Sequence, residues 1–231
     1  MNPLAPLSKL VRKQVEKWRF SRMTMDDVFG HIYRSNKWGS EESRSGKGSS
    51  LTQTRQVREA LPGLLQSHGI RSMLDLPCGD FHWMKEVDLR GVEYVGADIV
   101  PELIAETSAR HAGPGRKFLT LNLTADPLPK ADLLMCRDCW VHLTAGDIAQ
   151  AIANIRRSGI TYLLATTFTR HAVNGEKIRG KFRMLNLQVA PFCFPAPLEV
   201  ITEDNLESSH ADAGKSLALW RVADLPDPKL G

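Results

Sequence analysis

From residue 70 onward, short apolar runs alternate with helical stripes. Ile70 to Leu76 predicts a strand, and Val92 to Ala97, Lys117 to Leu121, Asp132 to Cys136 and Ile160 to Thr167 repeat the signal. The stretch 132–136 is an unbroken apolar run of the kind buried parallel strands show. Helical segments are predicted between the strands, at Phe81 to Val87, Pro101 to about Ala112 and Thr144 to Arg157. Pro101 suits a first helical position, and Thr144 and Asp147 stand at capping-box spacing. This alternation predicts a parallel sheet with right-handed crossovers. It stops after Thr169. Residues 170–197 read as irregular, Leu198 to Thr202 and Ser216 to Val222 as a closing pair of strands, and Leu225 to Gly231 as a Pro-containing tail.

Ahead of the sheet the pattern is helical. Leu7, Val11, Val15 and Trp18, with Leu10 beside them, make an apolar stripe over residues 7–20, and Lys9, Arg12, Lys13, Lys17 and Arg19 fill the remaining positions. Such a helix can lie on an acidic membrane surface, as a weak peripheral contact, or pack on its own domain or a partner chain. The shortness of the apolar face favours packing. A second helix is predicted from Asp26 to Tyr33. Residues 35–50 have the Gly/Ser composition of a linker but hold Trp38, Glu41, Glu42, Arg44 and Lys47. A tryptophan wants a contact, so this stretch reads as a lid over a ligand. Ser50 is placed to cap a third helix, Leu51 to about Ser67, which carries Val57, Leu61, Leu64 and Leu65 around an internal Pro62. The expected organisation is a helical extension with its lid over residues 1–50 and an α/β domain over 51–231.

The 231 residues, 42% hydrophobic and 24% charged, suffice for one large α/β domain with an extension. A net charge of +4 without a Lys/Arg block argues against a nucleic-acid partner. Cys136 and Cys139 form a C-x-x-C, but Cys78 and Cys193 supply no second pair at metal spacing, so no metal is expected. Reduced thiols, no apolar signal-peptide core near Met1 and no apolar run of about 20 residues lead to an expected cytoplasmic location.

The chemistry centres on Leu74-Asp75-Leu76-Pro77-Cys78-Gly79-Asp80, where a strand runs through an acid into a tight turn. Asp98 closes the next strand, where a carboxylate can accept both hydroxyls of a ribose. Only Gly79 follows the first strand, so the G-x-G-x-x-G pyrophosphate cradle is absent and the expected ligand has a ribose without a pyrophosphate.

With these motifs and the strand-four run 131–143, the chain resembles the class I S-adenosylmethionine-dependent methyltransferases over about residues 70–222. In that family the first strand ends D-x-G-x-G or a variant such as D-x-x-C-G; Pro77 stands where a Gly is usual, which implies a stiffer cofactor loop. The resemblance implies a Rossmann-like fold, with a mostly parallel seven-stranded sheet and helices on both faces. Its implied cofactor is S-adenosyl-L-methionine. Asp75 and the backbone of Pro77, Cys78, Gly79 and Asp80 would line the methionine half. Asp98 would bind the ribose, Ile99 would pack on adenine, Asn122 and Leu123 would meet the adenine edge, and Arg137 would lie near the methyl-donor end.

Trp38-Gly39 through Ser50, with the Pro-Cys-Gly-Asp-Phe-x-Trp-Met turn, also resembles a bacterial branch whose members accompany polysaccharide and glycan genes. The implied reaction is O-methylation of a sugar, glycan or other small hydroxyl acceptor. Such an acceptor needs a base for its proton. Asp138, His142 and His171 are the catalytic candidates, each histidine with a packing or loop role as its alternative. Trp38, Arg44, Arg170 and Asn186 are the substrate-binding candidates, and the basic residues of 170–183 suit an acidic or nucleotide-linked sugar. Trp83 and Trp140 can stack on a ligand or fill the core. N-methylation of a protein or small amine, and a non-catalytic cofactor-binding scaffold, are the alternatives.

Overall fold

The computed structural model describes residues 5–203 and 213–228; within the first helix, side chains are described at Val11 and from Gln14 onward. Two helices, α1 (Ala5–Phe20) and α2 (Met25–Arg34), precede α3 (Arg55–Ser67). The core alternates β1 (Ser72–Asp75), β2 (Glu93–Asp98), α4 (Pro101–His111), β3 (Arg116–Thr120), β4 (Leu133–Cys136), α5 (Ala145–Ser158) and β5 (Tyr162–Phe168). β6 (Glu199–Thr202) and β7 (Lys215–Arg221) close it. The strands form one sheet in the order β3-β2-β1-β4-β5-β7-β6. β7 runs antiparallel to both neighbours, and the other pairings are parallel. The sheet is therefore mixed, parallel through β5 with an antiparallel end.

Alternation along the central strands divides the core. Leu134, Cys136, Leu163 and Ala165 pack with Ile148, Ile152 and Ile155 of α5 on one face. Leu133, Met135 and Leu164 pack with Val57, Leu61 and Leu64 of α3 on the other, where Ile104 of α4 also lies. Thr144 caps α5 with the full reciprocal capping box, and Gly159 ends it in the left-handed conformation.

Several expectations are corrected. The predicted helix at 81–87 is a single 3₁₀ turn, Met84–Glu86. Phe81 has φ +57°, a left-handed residue that an α-helix does not accommodate. The third helix starts four residues late, at Arg55; Ser50 Oγ does accept from Gln53 N, but in a turn ahead of the helix. The first helix does not pack through the described part of its apolar stripe: Val11, Val15 and Trp18 are 56%, 57% and 59% exposed. It is held instead by Phe20, buried with Val28 and Ile32. Leu7 and Leu10, and the end of the tail from Lys229, lie outside what is described. Among the described residues no helix is long and apolar enough to cross a membrane.

Candidate functional site

The order β3-β2-β1-β4-β5 reverses direction between β1 and β4. In open α/β sheets a crevice forms outside the carboxyl ends of the strands at such a point. Here a cleft with about 1090 Å³ free of protein atoms, part of it open to solvent, lies at that edge. Asp75, at the end of β1, and Asp98, at the end of β2, line it together with Pro77, Cys78 and Gly79 of the intervening turn. Ile99, Val100, Leu103, Leu121 and Leu123 make an apolar wall beside Asp98.

Both carboxyl groups are buried. Tyr94 donates its hydroxyl to Asp75 Oδ2 at 2.6 Å, while Asp75 Oδ1 has no hydrogen-bond partner among the described residues. Val100 N donates to Asp98 Oδ1 at 3.1 Å. Desolvation pushes Asp75 up to about 7, against the Tyr94 hydrogen bond, and Asp98 up to about 6, against backbone hydrogen bonds. Gly79, at φ +56°, completes the turn, and a Cβ there would stand 2.1 Å from Ser45 Oγ. That approach, in a left-handed conformation, calls for glycine.

Residues 35–50 pack across this turn. Asp80 accepts from Ser43 Oγ at 2.9 Å, Arg44 N at 2.9 Å and Ser45 Oγ at 3.2 Å, and Asp80 N donates to Ser45 Oγ at 3.0 Å. Arg44 lies over the Tyr33 ring at 4.4 Å, and both line the cleft. Trp38 lines it too, stacked on His142 at 4.5 Å between ring centroids and tilted against Phe29. The stretch is thus a strap built on α2, whose Met25, Phe29 and Ile32 also face the cleft.

The opposite end is charged. The buried Arg137 meets Glu203 Oε2 at 2.5 Å, Gly48 O at 2.9 Å and Asp138 Oδ2 at 3.4 Å, with its guanidinium over Trp83. Lys215 Nζ reaches Asp138 Oδ2 at 2.7 Å and Glu203 Oε2 at 3.4 Å. Burial works against Arg137's charge, but Glu203 and Asp138 outweigh it and keep the guanidinium protonated. Desolvation opposes ionisation of Asp138, yet Lys215 and Arg137 hold it down to about 2. Asp138 itself has φ +51° and is pinned by its N–H on Thr166 Oγ1 at 2.8 Å. A non-glycine residue in that region is uncommon and marks a constrained position. Desolvation pulls His142 down to about 4, with Asp138 opposing and Lys215 reinforcing, so its imidazole is neutral near pH 7.

The cleft therefore gathers Asp75, Pro77, Cys78, Gly79, Asp98, Ile99, Leu123, Arg137, Asp138, His142, Trp38 and Arg44 of the expected residues. Others lie elsewhere. Asp80 turns to the strap, as above. Asn122 closes an Asx turn, its Oδ1 accepting from Thr124 N and Oγ1. Arg170 and His171 sit in the loop after β5 and do not line the cleft. Asn186 is buried there, its Nδ2 donating to His171 O and its Oδ1 accepting from Gln188 N. Of the basic run 170–183, Arg179 pairs with Asp147, Lys181 with Glu16, and Arg183 donates to Leu143 O and Gly175 O. Trp140 is core, edge-on to Phe194. Among the described residues no three His, Cys, Asp or Glu side chains gather as a metal site.

Tyr94, Glu203 and Lys215 were not legible as site residues. For the last two a signal existed. Thr202 pairs with Ser216 across the closing strands, so an acid and a lysine at adjoining ends stand opposite each other.

No protein-family model matches this sequence, and no curated protein does. Solved structures do. The chain is similar to Burkholderia thailandensis 1,6-didemethyltoxoflavin-N1-methyltransferase, crystallised with 1,6-didemethyltoxoflavin and S-adenosylhomocysteine, at 16% identity and TM-score 0.57, covering 85% of this chain and 86% of that one. It is similar to magnesium protoporphyrin IX methyltransferase of Synechocystis PCC 6803 at 12% identity and TM-score 0.56, over 90% and 99%. It is also similar to the PH0226 protein of Pyrococcus horikoshii OT3 at 14% identity and TM-score 0.55, over 81% and 98%. What these likenesses show is the fold: the sheet architecture is one that this chain shares with solved methyltransferase structures.

Proposed function

We propose that this chain is an S-adenosylmethionine-dependent methyltransferase acting on a hydroxyl of a sugar, glycan or other small acceptor. The observation that carries the reading is the pair of buried carboxyl groups, Asp75 and Asp98, at the ends of adjacent strands on the floor of an otherwise largely apolar cleft. Neither is in an ion pair among the described residues. Buried carboxylates require partners, and a ligand with a diol and a cationic end supplies both kinds. The unpartnered Asp75 Oδ1 and the Gly79 backbone approach fit such a ligand.

When bound, the sulfonium cofactor supplies an electrophilic methyl group. Asp98 would hold the ribose hydroxyls, Ile99, Leu121 and Leu123 the adenine, and Asp75 with the Pro77–Gly79 backbone the methionine end. The protein's main contribution is alignment, which can lower a barrier by several kcal/mol. Trp38 and the strap exclude water from the acceptor end. His142, being neutral, offers a ring lone pair there. A low basicity suffices, because the acceptor hydroxyl becomes strongly acidic as its oxygen forms the new bond to carbon. Asp138 beside it stabilises the imidazolium that results. The rings of Trp38 and Phe29 give a sugar's C–H face an apolar surface, and the sequence likeness to a glycan-associated branch points the same way.

Calorimetric titration with S-adenosylmethionine tests the cofactor. Asp98→Ala is expected to weaken binding about 100-fold, the loss of two hydrogen bonds to a charged acceptor; unchanged binding overturns the assignment. Transfer of labelled methyl to a panel of sugars, lipopolysaccharide fractions, amines and peptides tests the acceptor. Labelled amines or peptides would replace the hydroxyl reading, and binding without any turnover would leave a cofactor-binding scaffold.

A further inference from the structure

α1 presents a face that the other described residues do not cover. Val11, Val15 and Trp18 recur at helical spacing and are each more than half exposed. The exposed cations Lys17, Arg19 and Arg22 border this stripe, Arg22 lying over the Trp18 ring at 4.5 Å. Glu16 is the only acidic residue of the helix, and it is turned the other way, paired with Lys37 and Lys181 of the main body. Phe20, buried against Val28 and Ile32, fixes that inner face. Among the described residues the outer face is therefore an apolar stripe with cationic flanks, and Glu16 is turned to the inside.

We propose that α1 docks in plane on an anionic lipid surface. The cationic flanks favour a lipid surface as its occupant, and the narrow stripe matches the shallow depth to which an interfacial helix sinks. Trp18 has the amphipathic ring favoured at the headgroup level. The flanking cations complement anionic headgroups, and the inward Glu16 removes the one charge they would repel. α2, which follows directly, carries Met25, Phe29 and Ile32 into the cleft. Docking through α1 would hold the strap side of the cleft close to the lipid. The inference does not depend on the methyl-transfer reading.

Co-sedimentation of the full chain with vesicles decides it. Binding is expected to equimolar phosphatidylcholine and phosphatidylglycerol, to fall steeply as salt is raised, and to be at least about tenfold weaker on phosphatidylcholine alone. Val15→Glu and Trp18→Glu, at exposed positions, are expected to reduce the anionic-vesicle binding at least about tenfold, with thermal midpoint unchanged. Arg90→Glu, on a distant exposed loop, is expected to retain it. Failure to bind anionic vesicles, or equal binding by the wild type and both α1 variants, overturns the proposal. So does a concentration-dependent dimer in sedimentation that Trp18→Glu abolishes without vesicle binding, since a second copy would then be the occupant.

Discussion

Asp75 and Asp98 are carboxyl groups held where ionisation is costly. Their folded values, about 7 and about 6, lie above the ordinary carboxylate range. The folded, ligand-free protein thus binds more protons than the unfolded chain from about pH 4 upward. Their stabilising contribution is complete below the unfolded value and is lost as pH rises through the folded values. A cationic ligand prefers the ionised forms, so its affinity should run the opposite way. Between about pH 5 and pH 8 the thermal midpoint of the ligand-free protein should therefore fall while affinity for S-adenosylmethionine rises with proton release. Asp75→Asn should flatten both slopes. Affinity independent of pH across this window would show that neither carboxylate meets the cation. His142, down at about 4, adds no step in that range.

At the level of elements, the strap and the turn after β1 form one unit. Asp80 ties Ser43, Arg44 and Ser45 to the backbone that cradles the cleft. Removing that carboxylate should release the strap while leaving the sheet intact. Asp80→Ala is expected to speed tryptic cleavage at Arg44 and Lys47 by about tenfold or more, since local opening free energy falls by the bonds lost. Its urea midpoint should move little by comparison. Equal cleavage rates would mean the strap is held elsewhere, for example through the Trp38–His142 stack.

Across the whole molecule, one charge network joins distant parts of the chain. Arg137 after β4, Glu203 after β6, Lys215 at the start of β7 and Gly48 of the strap meet within hydrogen-bond or ion-pair range. It seals the far end of the cleft and anchors the closing strands to the central sheet. Breaking a buried pair on one side leaves the other charge uncompensated, at a typical cost of about 3–5 kcal/mol. Glu203→Ala is expected to lose stability of that order in urea unfolding, and Glu203→Gln less, because the amide oxygen still accepts from Arg137. A loss below about 1 kcal/mol for Glu203→Ala would show that Asp138 alone satisfies the guanidinium.

The sequence by itself determined the alternating core, the capping of α5, the acids at the ends of β1 and β2 and the turn between them. Each is a local matter: burial period, a cap four residues long, a strand meeting a turn. It also showed Trp38 to be out of place in a linker. What it left open was settled by contacts between residues far apart in the chain. Phe81 reads as helical until packing against Tyr94 and Phe118 holds it left-handed. Arg170, His171 and Asn186 have the right chemistry for a site, but the loop after β5 carries them away from the cleft. Tyr94 faces Asp75 only because β1 and β2 pair in register. The same holds for the stripe on α1: its spacing was legible, but whether the domain covers it depended on which face Phe20 and Glu16 turned inward.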